Sequence, residues 1–139
     1  MMTRVQLVCL HIGVALVTLT GAVFAWMKYL MKSSDPFSVV NHPWQPHMLA
    51  AHVVLGPLLL FVLGWTFGNH MWPKLMYGAP KRPSGLWSLW LIAPMVMSAY
   101  FLQIATDEHV RKAMAVAHWT TSAAFVVGYA IHIARRPPS

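Results

Sequence analysis

Four stretches of this chain are almost wholly apolar, and only short polar segments separate them. They cover residues 5–29, 48–68, 86–105 and 113–134, each close to the ~20 residues that carry a helix across a bilayer. The pattern predicts an all-α integral membrane protein: one four-helix bundle over residues 1–139, with no soluble domain attached. Lipid would cover its outside, so helix packing rather than an aqueous hydrophobic core must hold it together. Composition agrees, with 58% hydrophobic and 9% charged residues against roughly 25% charged in soluble domains.

Charge adds a topology. The net charge of +7 could point to nucleic acid, but the basic residues sit at the ends of the spans, where they anchor to headgroups. With the N-terminus in the cytoplasm, that side holds Arg4, Lys74, Lys81, Arg82, Arg135 and Arg136. The opposite side holds Lys28, Lys32, Arg111 and Lys112, with the three acids Asp35, Asp107 and Glu108. This excess of basic residues predicts both termini inside. Trp44, Trp72, Trp87 and Trp90 fall near the expected interfaces. A cleaved signal peptide is the competing reading of the first span, because Arg4 precedes it and Val23-Phe-Ala25 resembles a cleavage site. The run is long for a signal peptide and contains His11, which favours a retained helix. Cys9 is the single cysteine, so there is no internal disulfide and no C-x-x-C-H motif for covalent haem.

The second half weakly repeats the first. His52-Val-Val-Leu-Gly56 opens the second span much as His118-Trp-Thr-Thr-Ser122 lies early in the fourth. The linkers differ: Pro36, Pro43 and Pro46 keep the first from forming a long helix. The segment from Trp72 to Gly85 is expected to be an interfacial loop. Pro57 and Pro94 lie inside spans and are expected to kink them, which neighbouring helices tolerate in a membrane.

Histidine carries the candidate chemistry. His118 and His132 are fourteen residues apart, near four helical turns, so both point to one side roughly 21 Å apart. Ionisable residues inside a span are functional candidates by default. With both termini inside, His11 and His132 lie at a cytoplasmic level, and His52 and His118 at an outer level. Two matched pairs on facing helices are what bis-imidazole ligation of two haems requires. A porphyrin lying against its helix favours a small residue one turn from each ligand. Ala15, Gly56, Ser122 and Gly128 hold those positions, although small residues are common at any membrane helix contact. Arg111 at the outer level, and Arg4, Arg135 or Arg136 at the inner one, are candidate partners for haem propionates. For a single histidine, a hydrogen bond to a neighbouring helix is the simpler role. His42 and His109 fall in loops and are expected to be solvated.

Arg4-Val-Gln-Leu-Val-Cys-Leu-His11 with Thr20-Gly21, the His52 to Gly56 spacing, and the His118/His132 pair together resemble a known group. It is the bacterial cytochrome b561 and nickel-iron hydrogenase b-type cytochrome superfamily, which includes formate dehydrogenase membrane subunits. The resemblance covers nearly the whole chain but is specific only as a set of residues. It implies a membrane diheme cytochrome b in the bacterial inner membrane, carrying two non-covalent haem b groups and linked to quinone. A related group of small four-helix b-type cytochromes carries a second His fourteen residues after the first in its second helix. Here that position is Thr66 and a His follows at His70, so His70 is the alternative inner ligand to His11.

With both axial sites filled, neither iron would offer an open position, so the haems would move electrons and make no bonds. Quinol oxidation releases protons, and His47, Asp107, Glu108 and His109, with Asp35, are the candidates to accept them near the outer level. So little of the chain lies outside the bilayer that a partner redox subunit is expected. A multihaem cytochrome c or an iron–sulfur protein would fit, this chain being the electron-transfer subunit of a quinone-linked oxidoreductase. A second class stays open: a small copper or zinc transporter, since ten methionines and eight histidines are available ligands. Metal sites need ligands within a few ångströms of one another, whereas the two histidine levels are about four turns apart.

Overall fold

The computed structural model describes residues 2–77 and 83–135, without the side chain of Ser84. Lys81, Arg82 and Arg136, counted in the charge pattern above, lie outside the described residues. The helices run in the order α1 (Arg4–Tyr29), α2 (Gln45–Thr66), a π-helical turn (Phe67–Met71), α3 (Trp72–Met76), α4 (Pro83–Ile104) and α5 (Glu108–Ala134). No strand occurs among the described residues. Four segments are long and apolar enough to cross a membrane: Arg4–Tyr29, Gln45–Met76, Gly85–Ile104 and Glu108–Ala134. The chain forms two compact units, Met1–Tyr77 and Gly78–Ser139, and each is an antiparallel helical hairpin.

Local chemistry sets most of the helix ends. Thr3 caps α1 through a capping box: its hydroxyl accepts from the Gln6 N–H at 3.2 Å, and its own N–H donates to Gln6 Oε1 at 2.9 Å. The link to α2 folds back on α1, with the Asn41 side-chain amide donating to the Lys28 carbonyl at 2.8 Å. Pro46 stands in the first turn of α2, where its missing N–H costs nothing. Asp107 caps α5 by accepting from the Val110 N–H at 2.9 Å. Pro57 and Pro94 lie inside α2 and α4, and both helices run on through them.

One boundary departs from expectation. The segment expected to be a loop from Trp72 onward stays helical to Met76, so the second span has 32 residues. Immediately before Pro73 the helix widens into the π turn Phe67–Met71. A proline removes one N–H from the ordinary ladder and crowds the carbonyl four residues back. A wide turn at that place lets the helix continue, and such turns recur where a helix absorbs a local misfit.

The surface is apolar and the few buried positions include polar ones, as lipid demands. Phe61 and Trp90 are 73% and 76% exposed, as are Trp44, Trp72 and Trp87 to a lesser degree. Gln6, Thr66, Ser88 and Ser98 are buried, as are Leu10, Val14, Leu59 and Phe125. In the first hairpin Gly13 meets Leu59 and Gly21 meets His52, which sets the register of α1 on α2. In the second, Gly128 meets Ser88 and Gly85 meets His132. Small residues let helix backbones approach, and packing rather than hydrophobic exclusion then supplies the attraction.

Candidate functional site

In the first hairpin, α2 carries His52 against α1. Its Nδ1 lies 3.0 Å from the Val17 carbonyl oxygen and 3.3 Å from Thr20 Oγ1. A carbonyl only accepts, so Nδ1 holds the ring proton and, in the neutral imidazole, Nε2 holds the lone pair. The Thr20 hydroxyl donates to the Leu16 carbonyl at 2.8 Å, which leaves its lone pairs to face the histidine. The ring sits flush against α1 because residue 21 is glycine. A Cβ there would come within 2.8 Å of His52 Cε1 and 3.0 Å of Nδ1.

The second hairpin builds the same object. His118 on α5 places Nδ1 3.0 Å from the Met95 carbonyl oxygen and 3.4 Å from Ser98 Oγ, both on α4. The Ser98 hydroxyl donates to the Pro94 carbonyl at 2.7 Å. Val17 and Thr20 map onto Met95 and Ser98 by one and the same shift in number, so carbonyl and hydroxyl stand three residues apart in both hairpins. The weak repeat between His52 and His118 is therefore a duplicated clamp. Anchoring Nδ1 to a carbonyl is how a histidine is oriented to ligate through Nε2.

The other candidates behave differently. The His132 ring packs on Gly85, where a Cβ would come within 3.1 Å of Cε1 and 3.3 Å of Nδ1. Carrying the repeat along the chain puts Thr66 at the position of His132, and Leu89 at the position of His11. Thr66 is 3% exposed, Gln6 is fully buried, and Thr66 Oγ1 and Gln6 Nε2 have no hydrogen-bond partner among the described residues. The contacts of Gly13 with Leu59 and Gly21 with His52 set His11 level with about Phe61. That is nine residues, or roughly 13 Å, along α2 from His52. Neither hairpin by itself brings two of the four intramembrane histidines to one level.

The small neighbours also divide. A Cβ at Gly56, one turn from His52, would meet nothing within 4 Å. A Cβ at Gly128, one turn from His132, would come within 3.1 Å of Ser88 Oγ. Close packing of α4 on α5 is by itself a sufficient reason for a glycine at this position. His70 lies in the π turn, so counting by ordinary helical steps from His52 misplaces its direction. Its Nε2 is 3.5 Å from Lys74 Nζ.

The loop and surface candidates are mostly occupied with local structure. Asp107 is the cap of α5, and Glu108 pairs with Lys112 at 2.7 Å on an exposed face, an arrangement of small energetic weight. Asp35 accepts from the Phe37 N–H at 2.9 Å. His42 Nδ1 accepts from the Trp44 N–H at 3.1 Å. His47 is exposed and stands edge-on to Trp44, with ring centroids 5.7 Å apart. His109 and the candidate propionate partners Arg4, Arg111 and Arg135 are exposed. Among the described residues, no three His, Cys, Asp or Glu side chains gather closely enough to hold a metal ion.

Sequence reasoning missed Val17, Met95 and Ser98. Val17 and Met95 contribute only a backbone carbonyl, which no side chain advertises. Ser98 stays hidden when the halves are aligned on His52 and His118, because that shift carries Thr20 onto Leu86.

Fold and site together give two helical hairpins, each clamping a histidine, and the four helices long and apolar enough to cross a membrane suggest a multi-pass membrane protein. The chain matches no family model, no curated protein and no solved structure.

Proposed function

We propose that the protein is a membrane cytochrome b that passes electrons between the quinone pool and a partner redox subunit. The observation that carries this reading is the twin clamp. Two intramembrane imidazoles, one per hairpin, are anchored through Nδ1 in the same way and so offer Nε2 as the ligating atom. That donor type fits a haem iron, and among the described residues no three potential ligands cluster as a small metal-ion cage would need. His52 and His118 would be the ligands of the outer haem. His132 with His11 would hold the inner haem. Lys74 beside His70 Nε2 is an argument against His70 as the inner ligand.

When bound, haem would supply one-electron transfer. The chain's own contribution is to orient the imidazoles and keep them in apolar surroundings. His47 and His109, exposed near the helix ends, remain the candidates for handling quinol protons. Arg4, Arg111 and Arg135 remain those for pairing with propionates. The basic bias toward one side supports both termini in the cytoplasm of a bacterial inner membrane.

A reduced-minus-oxidised spectrum of the purified chain, with pyridine haemochrome quantification, tests the reading. About two b-type haems per chain are expected. A haem-free chain from cells supplied with haem, especially one retaining copper or zinc, would overturn it in favour of metal transport.

A further inference from the structure

We propose that Thr20 and Ser98 are positioning residues, whose hydroxyls hold His52 and His118 in the Nδ1–H form with Nε2 presented for ligation. The inference deepens the cytochrome reading and rests on it for what Nε2 binds, but the proton placement itself does not depend on haem.

The geometry points to the hydroxyls as the second limb of a forked hydrogen bond. Each Nδ1 has a carbonyl at 3.0 Å and a hydroxyl oxygen at 3.3 or 3.4 Å. The longer limb is weak alone, since N–H···O bonds centre near 2.9–3.0 Å. Its direction is nevertheless set. Thr20 and Ser98 commit their single proton to backbone carbonyls, the nearest being Leu16 at 2.8 Å and Pro94 at 2.7 Å. An Oγ whose proton is turned to its own helix can only accept from the imidazole. The Nε2–H tautomer would turn the Nδ1 lone pair on a carbonyl oxygen and a hydroxyl oxygen together. Two acceptors thus disfavour the wrong tautomer more strongly than one.

Threonine hydroxyls in helices bond commonly to the carbonyl four residues back, as Thr120 and Thr121 do here. What sets Thr20 and Ser98 apart is the imidazole on the other side of the oxygen, in both hairpins, at the same step from the clamping carbonyl. The carbonyls cannot be removed by substitution. The hydroxyls can, which makes the inference testable one hairpin at a time.

The experiment is 15N NMR of the histidine rings in the full-length chain, haem-free and in lipid nanodiscs at neutral pH. Wild type, Thr20→Val, Thr20→Ser, Ser98→Ala and Ser98→Thr are compared. In the wild type, the proton of both rings is expected on Nδ1. Thr20→Val is expected to lower the Nδ1–H to Nε2–H ratio of His52 by roughly five-fold, the worth of one weak neutral hydrogen bond. His118 should stay unchanged and serve as an internal control for folding, and Thr20→Ser should restore the ratio. Ser98→Ala should do the same to His118 alone, with Ser98→Thr restoring it. Wild-type rings protonated on Nε2, or Thr20→Val indistinguishable from Thr20→Ser, would overturn the proposal. In haem-loaded protein, Thr20→Val is expected to raise the midpoint potential of one haem, because a ligand with fewer acceptors on Nδ1 donates less to iron. Nδ1–H rings in a chain that binds no haem would sink the cytochrome reading and leave the positioning role standing.

Discussion

The two hairpins agree at one level and part company at the other. Where His52 and His118 sit, they share a carbonyl, a hydroxyl and a histidine in the same arrangement, with Nδ1 at 3.0 Å from its carbonyl in both. At the far level, the second hairpin has His132 seated on Gly85. The first has Thr66 and Gln6 instead, both buried, and among the described residues Thr66 Oγ1 and Gln6 Nε2 meet no hydrogen-bond partner. A duplicated hairpin can therefore keep its working chemistry at one end while the other end diverges. The consequence is unequal support: His52 and His118 are candidate ligands on matching geometry within each half, His132 and His11 on their position in the sequence.

The sharpest way to break that comparison is to delete inner candidates one at a time. His132→Ala is expected to remove one of two haems, read by pyridine haemochrome, and His11→Ala to remove the same one. His70→Ala should leave both, and loss of haem there with full retention in His11→Ala would reverse the inner assignment. Next in size is the seat of His52. Gly21→Ala forces a Cβ to within 3.0 Å of the ring, and overpacking of this kind costs about 1–3 kcal/mol. The counterpart in the other hairpin is already alanine, so Ala99→Gly should change the stability of the detergent-solubilised protein by less than ~1 kcal/mol. Equal effects at the two sites would mean that the hairpins do not seat their histidines differently.

Much of this was legible in the residues, and what was hidden has physical reasons. The four spans follow from hydropathy alone, because lipid exposure leaves no other composition available. The histidines of the clamp were visible as ionisable groups in apolar runs. Thr20-Gly21 was visible only as part of a resemblance, and its structural meaning is the acceptor and the seat for His52. The carbonyls of Val17 and Met95 had no signature, since every residue has a carbonyl. The helical course of Trp72–Met76 was hidden because Pro73 reads as a breaker, and only the π turn before it lets the helix pass. Gly128 looked like room for a porphyrin, but smallness does not say which neighbour requires it, and the neighbour is Ser88.

Smaller effects sharpen the far level. Gly85→Ala brings a Cβ to 3.1 Å from the His132 ring, a tighter fit than the site now has but one a side chain can relieve. It is expected to destabilise by about 1 kcal/mol and to perturb only the inner haem in the visible spectrum. The smallest effect belongs to Thr66→Val. Removing a buried hydroxyl that has no partner among the described residues is expected to be neutral or stabilising by up to ~1 kcal/mol, as thermal unfolding in detergent would register. A large loss of stability there would show that the Thr66 hydroxyl does bond to something essential.

The central claim is that His52 and His118 are haem ligands, and a haem count in His52→Ala and in His118→Ala tests it directly. The account predicts about two haems in the wild type and fewer in each single variant. Single variants that keep the full complement would contradict it.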